Sequence, residues 1–388
     1  MPRFAGLFSG CGGLDQGFIQ AGYKGQLSLD IDAAALSVHQ ANLSCPVLKA
    51  DLSLDELPCL VSRKVDVLLS GSPCQGFSTA GKRAINDPRN NLLYVTSRVA
   101  AANLPKVVVA ENVPAVKTGA HRVYWDELHG RLRQSGYDTH DLLLDCSEHG
   151  VAQKRKRLFL IAWRTGKIVN FEMPKQAAIP LMDVLDVTGD IANHEPLFLD
   201  GSSNDFKIAS RIAQGQKLTN SRAGETAIHT WDIPEVFGAV TVKEKKILEE
   251  ILKLRRQIRR RDFGDADPVS SHLLRKKFGE AVLACLVDKG YLRKLGHYHD
   301  LADTYNGKYR RLPENAPSRT VDTRFGDPKL FLHPSQPRGF TVREAARIQG
   351  FDDSFIFAGA RSAQYRMIGN AVPPPVAKKI GQLVKQLL

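Results

Sequence analysis

The sequence predicts an α/β fold with a doubly wound, mostly parallel sheet, interrupted late in the chain by a smaller second domain. Over the first 165 residues, short apolar runs rich in β-branched residues alternate with segments whose apolar residues recur at helical spacing. This periodicity fades after Phe171, and a basic stretch follows. Ordered patterns return near the C-terminus, so we expect the first domain to resume there.

Each predicted strand of the first domain matches one apolar run. In chain order the strands are FAGLFS, QLSLDID, CPVLKAD, VDVLLSG, KVVVAENV, DTHDLLLDC and KRLFLIAWR. Helices are predicted at AAALSVHQANL, LLYVTSRVAAANL and VYWDELHGRLRQSGY, which lie between them. Because strand–helix–strand repetition produces parallel strands, we expect ligands to bind at the carboxyl ends of the strands.

The middle of the chain predicts a separate basic domain. Between Lys243 and Arg311 there are 18 basic and 10 acidic residues, which accounts for +8 of the formal net charge of +13. An amphipathic helix at KEKKILEEILKLRRQIRRR precedes two helices and a strand within SSHLLRKKFGEAVLACLVDKGYLRKL, and Asn306-Gly307 predicts a tight hairpin turn. Helices followed by a basic hairpin are typical of a winged-helix segment. The predicted domain boundaries are 1–175, 176–330 and 331–388.

Composition restricts the classes of protein that fit. No apolar run approaches 18 residues, so no transmembrane helix is predicted, and the N-terminal MPRFAGLFSGCGG lacks the apolar core of a secretory signal. The six cysteines, at 11, 45, 59, 74, 146 and 285, show neither a disulfide framework nor a C-x-x-C metal pair. We therefore expect a cytoplasmic protein with no metal and no membrane contact. Its net positive charge predicts a polyanionic partner.

Glycines and carboxylates follow the first three predicted strands. The glycines within 10–13 open the first helix, where they would let the backbone approach a nucleotide-like ligand closely, although Asp15 breaks the full G-x-G-x-x-G pattern. Asp30 ends the second strand, where a carboxylate typically accepts hydrogen bonds from ribose hydroxyls. Asp51 ends the third strand. Three such strand ends predict a nucleotide-like cofactor, while a simple tight turn is the alternative for the glycines alone.

Cys74 is the strongest candidate for a catalytic residue. It follows a strand in SGSPCQGFS, directly after Pro73, whose fixed φ stiffens the turn. An ordinary thiol is only about 3% thiolate at neutral pH, so a nucleophilic role requires nearby positive charge or a helix N-terminus. Glu111 ends the adjacent strand among apolar residues, which predicts a raised pKa and a proton-donor role. Arg155 and Arg157 alternate on entry to the last strand, so both guanidinium groups are predicted on one face.

Together these motifs closely resemble those of the DNA (cytosine-5)-methyltransferase family, of the bacterial restriction–modification type. The matching stretches are FAGLFSGCGGLDQGF, GSPCQGFS, ENV, QKRKRLFLIA, RGFTVREAARIQGF and YRMIGNAVPPPVA, in the order that the family uses, and they cover about residues 1–170 and 315–388. The resemblance implies the S-adenosylmethionine-dependent methyltransferase fold with an inserted DNA-recognition domain. It also implies methyl transfer from S-adenosyl-L-methionine to C5 of a flipped-out cytosine in a specific duplex DNA sequence, which would protect host DNA from a cognate restriction endonuclease.

The resemblance further implies roles for individual residues. Cys74 would add to C6 of the cytosine, Glu111 would engage N3 and the exocyclic amine, and Arg157 would contact O2 and Glu111. Arg155 completes the predicted catalytic set and would, with Ser78, fix the loop and the target phosphate. The predicted cofactor contacts are Phe8, Ser9, Gly10, Gly12, Gly13, Asp30, Ile31, Asp51, Leu52, Ser72, Pro73, Leu92, Asn370 and Ala371. The predicted DNA contacts are Gln75, Ser78, Arg255, Arg256, Arg259, Arg260 and Arg261. Cys11 is expected to be a packing residue.

Several alternatives stay open at this point. The basic helix that carries the arginines could be only a solvated surface. The RNA-directed branch of the same fold would methylate a tRNA cytosine, but the large basic middle region favours duplex DNA. A regulator that binds DNA through the winged-helix-like segment is a further alternative, against which the intact catalytic residues argue. We expect a monomer that acts on double-stranded DNA, whose recognition sequence the amino-acid sequence does not reveal.

Overall fold

The computed structural model describes residues 1–54, 65–74, 76–77, 85–260 and 266–388. The chain packs as two compact units. The first comprises Met1–His194, Asn315–Arg324 and Val342–Leu388, and the second comprises Glu195–Glu314 and Phe325–Thr341. These ranges describe packing, whereas the division into 1–175, 176–330 and 331–388 concerns functional domains and stays a prediction.

The first unit contains a seven-stranded sheet and its helices, numbered here in chain order. The strands are β1 (Arg3–Leu7), β2 (Lys24–Asp30), β3 (Val47–Lys49), β4 (Val67–Ser70), β5 (Val107–Asn112), β6 (Asp138–Asp145) and β7 (Lys156–Trp163). The helices are α1 (Gly13–Gln20), α2 (Ala33–Asn42), α3 (Val95–Asn103), α4 (Arg122–Gln134), α5 (Met182–Leu185), α11 (Val342–Gln349), α12 (Arg361–Asn370) and α13 (Pro374–Lys385). Short 3₁₀ helices span Pro88–Tyr94, Pro114–Lys117, Gly119–His121 and Cys146–Glu148.

The order of the strands in this sheet is β3-β2-β1-β4-β5-β7-β6. The pairs from β3 to β5 are parallel, whereas β7 runs antiparallel to both β5 and β6. The predicted α/β class with a mostly parallel sheet is therefore confirmed. The strand order reverses between β1 and β4, and ligands of doubly wound sheets bind beside such a reversal. The segments that leave β1 and β4 here are Phe8–Gly12 and Gly71–Cys74.

Helices cover both faces of this sheet, as alternation along β5 shows. Val108 and Ala110 pack in one apolar cluster with residues of α3 and α4, while Val107 and Val109 pack in another with residues of α1 and α13. A strand that is apolar on both faces is expected where helices lie on each side of a parallel sheet. Short, continuous apolar runs therefore predicted these strands well.

The second unit contains short strands and five helices among the residues that the structure describes. Its helices are α6 (Asn204–Arg211), α7 (Pro234–Phe237), α8 (Val242–Gln257), α9 (Ser271–Phe278) and α10 (Glu280–Asp288), with a 3₁₀ turn at Thr230–Asp232. Its strands are β8 (Lys217–Thr219), β9 (Ala227–Ile228), β10 (Val269–Ser270), β11 (Leu292–Leu295), β12 (Tyr298–Leu301), β13 (Asn306–Lys308), β14 (Arg310–Arg311) and β15 (Phe331–Leu332).

The helices α8 to α10 pack with a three-stranded sheet of order β10-β12-β11. The tight hairpin of this segment joins β11 to β12 at Gly296, whose φ is +58°. The hairpin turn predicted at Asn306-Gly307 is wrong. Asn306 instead pairs with Thr219 of β8, and Gly307 takes its positive φ at an irregularity within β13.

Regular structure also occurs in the weakly patterned region, where the sequence did not predict it. Helix α6 is only eight residues long, and Ser203 caps it by accepting a hydrogen bond from the Phe206 backbone N–H at 3.1 Å. Such a short helix presents too few turns for a clear periodicity. In the described part of the chain, no helix is long and apolar enough to cross a membrane, and no group of three or more His, Cys, Asp or Glu side chains could hold a metal.

Candidate active site

Cys74 lies at the end of the segment that leaves β4 beside the reversal of strand order. The Gly71 backbone N–H donates to the Leu7 carbonyl of β1 at 3.1 Å, which holds the start of this segment against the sheet. The Phe77 N–H donates to the Cys74 carbonyl at 3.0 Å, and the Phe77 ring is fully buried in the core. A tight turn anchored by an aromatic side chain therefore fixes Cys74, which as a residue is half-buried.

Glu111 and Arg157 form a buried ion pair beside this segment. Glu111 lies near the end of β5, and Arg157 near the start of the antiparallel neighbour β7. Arg157 Nε lies 2.7 Å from Glu111 Oε1, and the two side chains are only 13% and 11% exposed. Burial raises the pKa of the Glu111 carboxyl, and the charges of Arg157 and Arg155 oppose that effect. A carboxyl that keeps its proton above the usual pH range suits a proton donor.

The Cys74 thiol lies within the field of the same three charged groups. Burial is the main factor that raises its pKa, and the Glu111 charge adds to that rise. Arg157 and Arg155 act in the opposite direction. The positive charge that a nucleophilic cysteine needs is therefore present, but the free protein holds Cys74 mainly as the thiol. Cys11, in contrast, is fully buried, which raises its pKa to about 12 and agrees with a packing role.

Arg155 differs from Arg157 in what it contacts. Its guanidinium is buried and donates to the carbonyl oxygens of Val321 (3.1 Å), Gly369 (2.9 Å) and Ala371 (3.1 Å). These carbonyls belong to the two later segments of the first unit. Arg155 thus joins those segments to the start of β7 and acts on Cys74 only through its charge. The two guanidinium groups therefore have different partners, and the target-phosphate role of Arg155 stays a prediction.

Asn112 is a positioning residue that the sequence analysis missed. It follows Glu111 in β5, is fully buried, and donates through Nδ2 to the hydroxyl of Ser72 at 3.2 Å. Its Oδ1 accepts a hydrogen bond from the Val113 N–H at 2.8 Å. The amide therefore ties the strand that carries Glu111 to the segment that carries Cys74. The available signal was its place within the ENV motif.

The backbone after β1 has the form of a ligand cradle. Phe8 takes a left-handed φ of +56°. This backbone conformation is strained for an aromatic residue, and residues strained in this way cluster at functional sites. Gly10 has a φ of +52°, and a side chain placed there would meet nothing within 4 Å. Among the described residues, the buried Ser9 hydroxyl has no hydrogen-bond partner. An open backbone and an unsatisfied hydroxyl both fit a bound polar ligand.

Asp30 and Ile31 adjoin this cradle at the end of β2. The Asp30 carboxylate accepts hydrogen bonds from the backbone N–H groups of Gly10 and Asp32, both at 2.8 Å. Two donors leave acceptor capacity for a ligand hydroxyl. Ile31 is 60% exposed, which leaves apolar surface available to a flat ring. A carboxylate beside an exposed isoleucine has the acceptor and apolar surface that a nucleoside needs.

The other predicted cofactor residues fall into two groups. A side chain at Gly12 would collide with His39 and Leu43, and one at Gly13 would collide with the Val372 carbonyl, so packing explains these two glycines. Leu52 is buried in the core cluster, which leaves only its backbone for a ligand. The remaining positions keep polar or partly accessible atoms, and they are Asp51, Ser72, Pro73, Leu92, Asn370 and Ala371.

The predicted DNA contacts are only partly described. Gln75, Ser78 and Arg261 lie outside the described residues. The prediction that Arg255 contacts DNA is wrong. Its side chain is 6% exposed, and its Nε lies 2.6 Å from Asp300 Oδ1, within the core of the second unit. Its position on the apolar face of α8 explains the burial. Arg256, Arg259 and Arg260 are exposed, as a phosphate contact requires.

Comparison with known proteins places this geometry in a family. The family profile of C-5 cytosine-specific DNA methylases matches residues 2–386. The Type II methyltransferase M.XorII of Xanthomonas oryzae pv. oryzae is 30% identical over 98% of this chain and 84% of its own length, and M.HgiBI of Herpetosiphon aurantiacus is 29% identical over 99% and 96%.

Solved structures show the same fold at lower identity. A prophage-encoded E. coli protein titled as a DNA modification methyltransferase superposes with a TM-score of 0.60 at 23% identity, covering 100% of this chain and 99% of its own. Spodoptera frugiperda DNMT2 superposes with a TM-score of 0.53 at 18% identity, with the same coverage. The family match spans nearly the whole chain and includes the strand ends that carry Cys74 and Glu111. This chain therefore belongs to the family of C-5 cytosine-specific DNA methylases.

Proposed function

We propose that this DNA cytosine-5 methyltransferase works through a covalent bond between Cys74 and C6 of the target cytosine. The observation that carries the proposal is the electrostatic influence of Glu111 and Arg157 on Cys74, which follows β4, while Glu111 lies near the end of β5 and Arg157 near the start of the antiparallel β7. A thiol, a carboxyl with a raised pKa and a guanidinium are the three groups that this chemistry requires.

The target carbon explains why a nucleophile is needed. Cytosine C5 is a weak nucleophile, because attack through it disrupts the aromatic ring. Addition of the Cys74 sulfur to C6 breaks the C5–C6 double bond and gives C5 the character of an enamine carbon, which splits one difficult step into easier ones. After methylation, loss of the C5 proton and elimination of Cys74 restore the ring. The base must leave the stack for the thiol to reach it.

Glu111 supplies the proton that makes C6 electrophilic. Arg157 Nε donates to Oε1 at 2.7 Å, which leaves Oε2 to carry the proton toward cytosine N3. As this proton transfers, Glu111 gains negative charge that Arg157 is already placed to stabilise. Donors fixed where charge develops favour the transition state without reorganisation. The combined field of Arg155 and Arg157 favours the Cys74 thiolate during the same step.

The residues after β1 and β2 would hold S-adenosyl-L-methionine, which supplies an electrophilic methyl group when bound. The Asp30 carboxylate would accept hydrogen bonds from the ribose hydroxyls, and Ile31 would pack against the adenine. Phe8, Ser9 and Gly10 would line the cradle beside them. The remaining predicted contacts, among them Asp51, Leu92 and Asn370, are proposed as its periphery.

The second unit is proposed as the target-recognition domain. The order α8-β10-α9-α10-β11-β12, with the strands arranged β10-β12-β11, supports a winged-helix segment. The basic surplus between Lys243 and Arg311 fits a duplex DNA partner. Relatives named as Type II methyltransferases support a restriction–modification role in the bacterial cytoplasm. We propose that the protein acts as a monomer.

Transfer of a radiolabelled methyl group from S-adenosylmethionine tests this proposal. The purified protein should label duplex plasmid DNA, leave tRNA unlabelled, and convert one cytosine of a short defined sequence to 5-methylcytosine in bisulfite sequencing. Labelling of tRNA with no labelling of DNA would favour the RNA-directed alternative. Binding of DNA without methyl transfer to any substrate would favour the regulator.

A further inference from the structure

The outer face of the β11–β12 hairpin carries positive side chains around an aromatic ring. In the antiparallel pair, Arg293 faces Asp300 and Leu295 faces Tyr298, which sets these four side chains on one face. Arg260, just beyond α8, lies over the Tyr298 ring at 5.3 Å and donates to its hydroxyl at 3.0 Å. The term hairpin surface is used here for the exposed and half-buried residues on this face and at the tip, together with Lys294, which is opposite His299 and lies on the other face; its members are Arg260, Arg293, Lys294, Leu295, His297 and Tyr298.

The charges on the hairpin surface do not cancel. Asp300 is buried, with Arg255 Nε 2.6 Å from its Oδ1 and an Arg293 amino group 3.0 Å from its Oδ2, so two guanidinium groups share one carboxylate. Arg260 extends the positive region on this face, Lys294 adds a positive charge on the opposite face of the hairpin, and both side chains are exposed. Leu295, at the tip, is 41% exposed. A positive face with an exposed apolar tip and an aromatic ring is suited to a nucleic acid.

Helix α10 lacks the chemistry of a recognition helix. In a helix-turn-helix pair the second helix enters the major groove, and α10 follows α9 in the chain with only Gly279 between them. The sequence of α10, EAVLACLVD, contains neither lysine nor arginine. Its exposed side chains are Glu280, Ala281, Ala284 and Asp288. Phosphates would repel the two acids, and alanine cannot donate to a base edge.

A second group of lysines, at the start of α8, is a weaker candidate. Lys243, Lys246 and Lys277 border a groove of about 590 Å³. Lys277 pairs with Glu250 at 2.5 Å, and Val242–Glu250 at the start of α8 carries three glutamates, as many as its lysines. From Ile251 to Arg260, the rest of the helix and its extension carry only basic side chains. The net positive charge of this segment therefore lies towards Arg260, whose backbone N–H donates to Asp267 Oδ2 at 2.6 Å.

We propose that the hairpin surface, and not α10, is the surface through which the second unit engages DNA. This inference rests on the proposed function of that unit in DNA recognition. Arg260, Arg293 and Lys294 contact phosphates, while Leu295 and His297 at the tip enter a groove. The β11–β12 hairpin therefore supplies DNA affinity, a role that the predicted set of helix arginines did not include.

Salt-dependent binding to a labelled duplex of mixed sequence tests the surface. The double variant Arg260→Gln/Lys294→Gln should lower the slope of log K against log salt by about 0.9 for each phosphate that the protein no longer neutralises, and weaken binding on the order of tenfold per phosphate near 0.1 M salt. The control variant Lys243→Gln/Lys246→Gln removes two exposed charges from the start of α8, and it should leave the salt slope unchanged. Ala284→Glu and Ala284→Arg on α10 should both leave the affinity within about twofold of the wild type.

The outcomes separate this inference from the proposed function. An unchanged salt slope in the Arg260→Gln/Lys294→Gln variant would refute the proposal that the hairpin surface binds DNA. Equal weakening of DNA binding in the Lys243→Gln/Lys246→Gln variant would refute it too. If Ala284→Glu strongly weakened DNA binding and Ala284→Arg strongly increased it, α10 would be identified as a helix that contacts DNA. In each of these cases the wild type still methylates plasmid DNA, so the proposed function stands. Failure of the wild type to methylate any duplex would instead refute the proposed function.

Discussion

The substitution Glu111→Gln separates proton donation from positioning in the proposed active site. The amide keeps the size of the side chain and an oxygen that can accept the Arg157 hydrogen bond, now 2.7 Å long. It cannot release a proton to cytosine N3. General acid catalysis contributes about 10²- to 10⁴-fold, so the single-turnover rate of methyl transfer should fall by that factor, or about 3–5 kcal/mol of transition-state stabilisation. The affinities for DNA and cofactor should change little, as expected for an interaction made mainly in the transition state.

The same substitution has a second consequence for stability, with a definite sign. Burial raises the pKa of Glu111 above its ordinary value of 4.5, so the folded state binds this proton more tightly than the unfolded state does. The stability that the group contributes is complete below the unfolded pKa, and it is lost as pH rises through the folded pKa. The loss proceeds at up to about 1.36 kcal/mol per pH unit. Glutamine does not titrate, so the free energy of unfolding of Glu111→Gln should rise relative to wild type across this window.

Urea unfolding at a series of pH values measures this difference. Pulse labelling of Cys146, which is fully buried in the first unit, reports the unfolding of that unit alone. Glu127→Gln is the matched control. Hydrogen bonds from Arg131 and Tyr94 lower the pKa of Glu127, so that variant should lose stability relative to wild type as pH rises, and its methylation rate should stay normal. The reasoning would be refuted if the free energy of unfolding of Glu111→Gln, relative to wild type, were independent of pH or fell as pH rises.

Three further predictions concern the covalent cycle and the cofactor. Cys74→Ser should abolish turnover in the methylation assay and leave DNA and cofactor binding intact, because a hydroxyl is far less acidic than a thiol. Cys11→Ser, the control, should retain near-normal activity. Residual turnover of more than a few per cent in Cys74→Ser would contradict its assignment as the nucleophile. A target cytosine with fluorine at C5 has no proton to lose there, so a methylated protein–DNA adduct linked through Cys74 should survive denaturing electrophoresis, and clean turnover of this DNA would exclude the mechanism. Asp30→Ala should weaken S-adenosylmethionine binding at least tenfold in calorimetry, since it removes the proposed ribose acceptor, and unchanged affinity would remove Asp30 from the cofactor site.

The parts that the sequence predicted are those with a local physical signal. The strands of the first unit are short apolar runs, and a run that is apolar on both faces predicts a buried strand directly. Strand ends could then be aligned, because parallel strands place their carboxyl ends at one edge of the sheet. That logic predicted the strand ends at Asp30, Cys74 and Glu111 to lie at one edge of the sheet. The raised pKa of Glu111 was likewise predictable from its apolar neighbours.

The parts that the sequence did not predict depend on partners far away along the chain. Arg255 and Arg260 are the same residue type five positions apart, yet Arg255 is buried against Asp300 and Arg260 is exposed above Tyr298. Periodicity places Arg255 on the apolar face of α8 but cannot supply its buried carboxylate. The prediction of a hairpin turn at Asn306-Gly307 was wrong for a related reason. A positive φ at glycine serves an irregular strand as readily as a hairpin, and only the pairing with Thr219 decides between them.

Arg155 links parts of the first unit that the second unit separates along the chain. A buried guanidinium without carboxylate partners is costly, and burial lowers its pKa to about 9. Three carbonyls compensate it. That of Val321 lies between the two parts of the second unit along the chain, and those of Gly369 and Ala371 lie after both parts. The compensation is therefore complete only when the chain has returned from the insert and closed on β7. These contacts are to backbone atoms of the first unit, so they do not depend on the side chains of the second unit. The charged groups that act on Cys74, which are Glu111, Arg157 and Arg155, likewise all belong to the first unit.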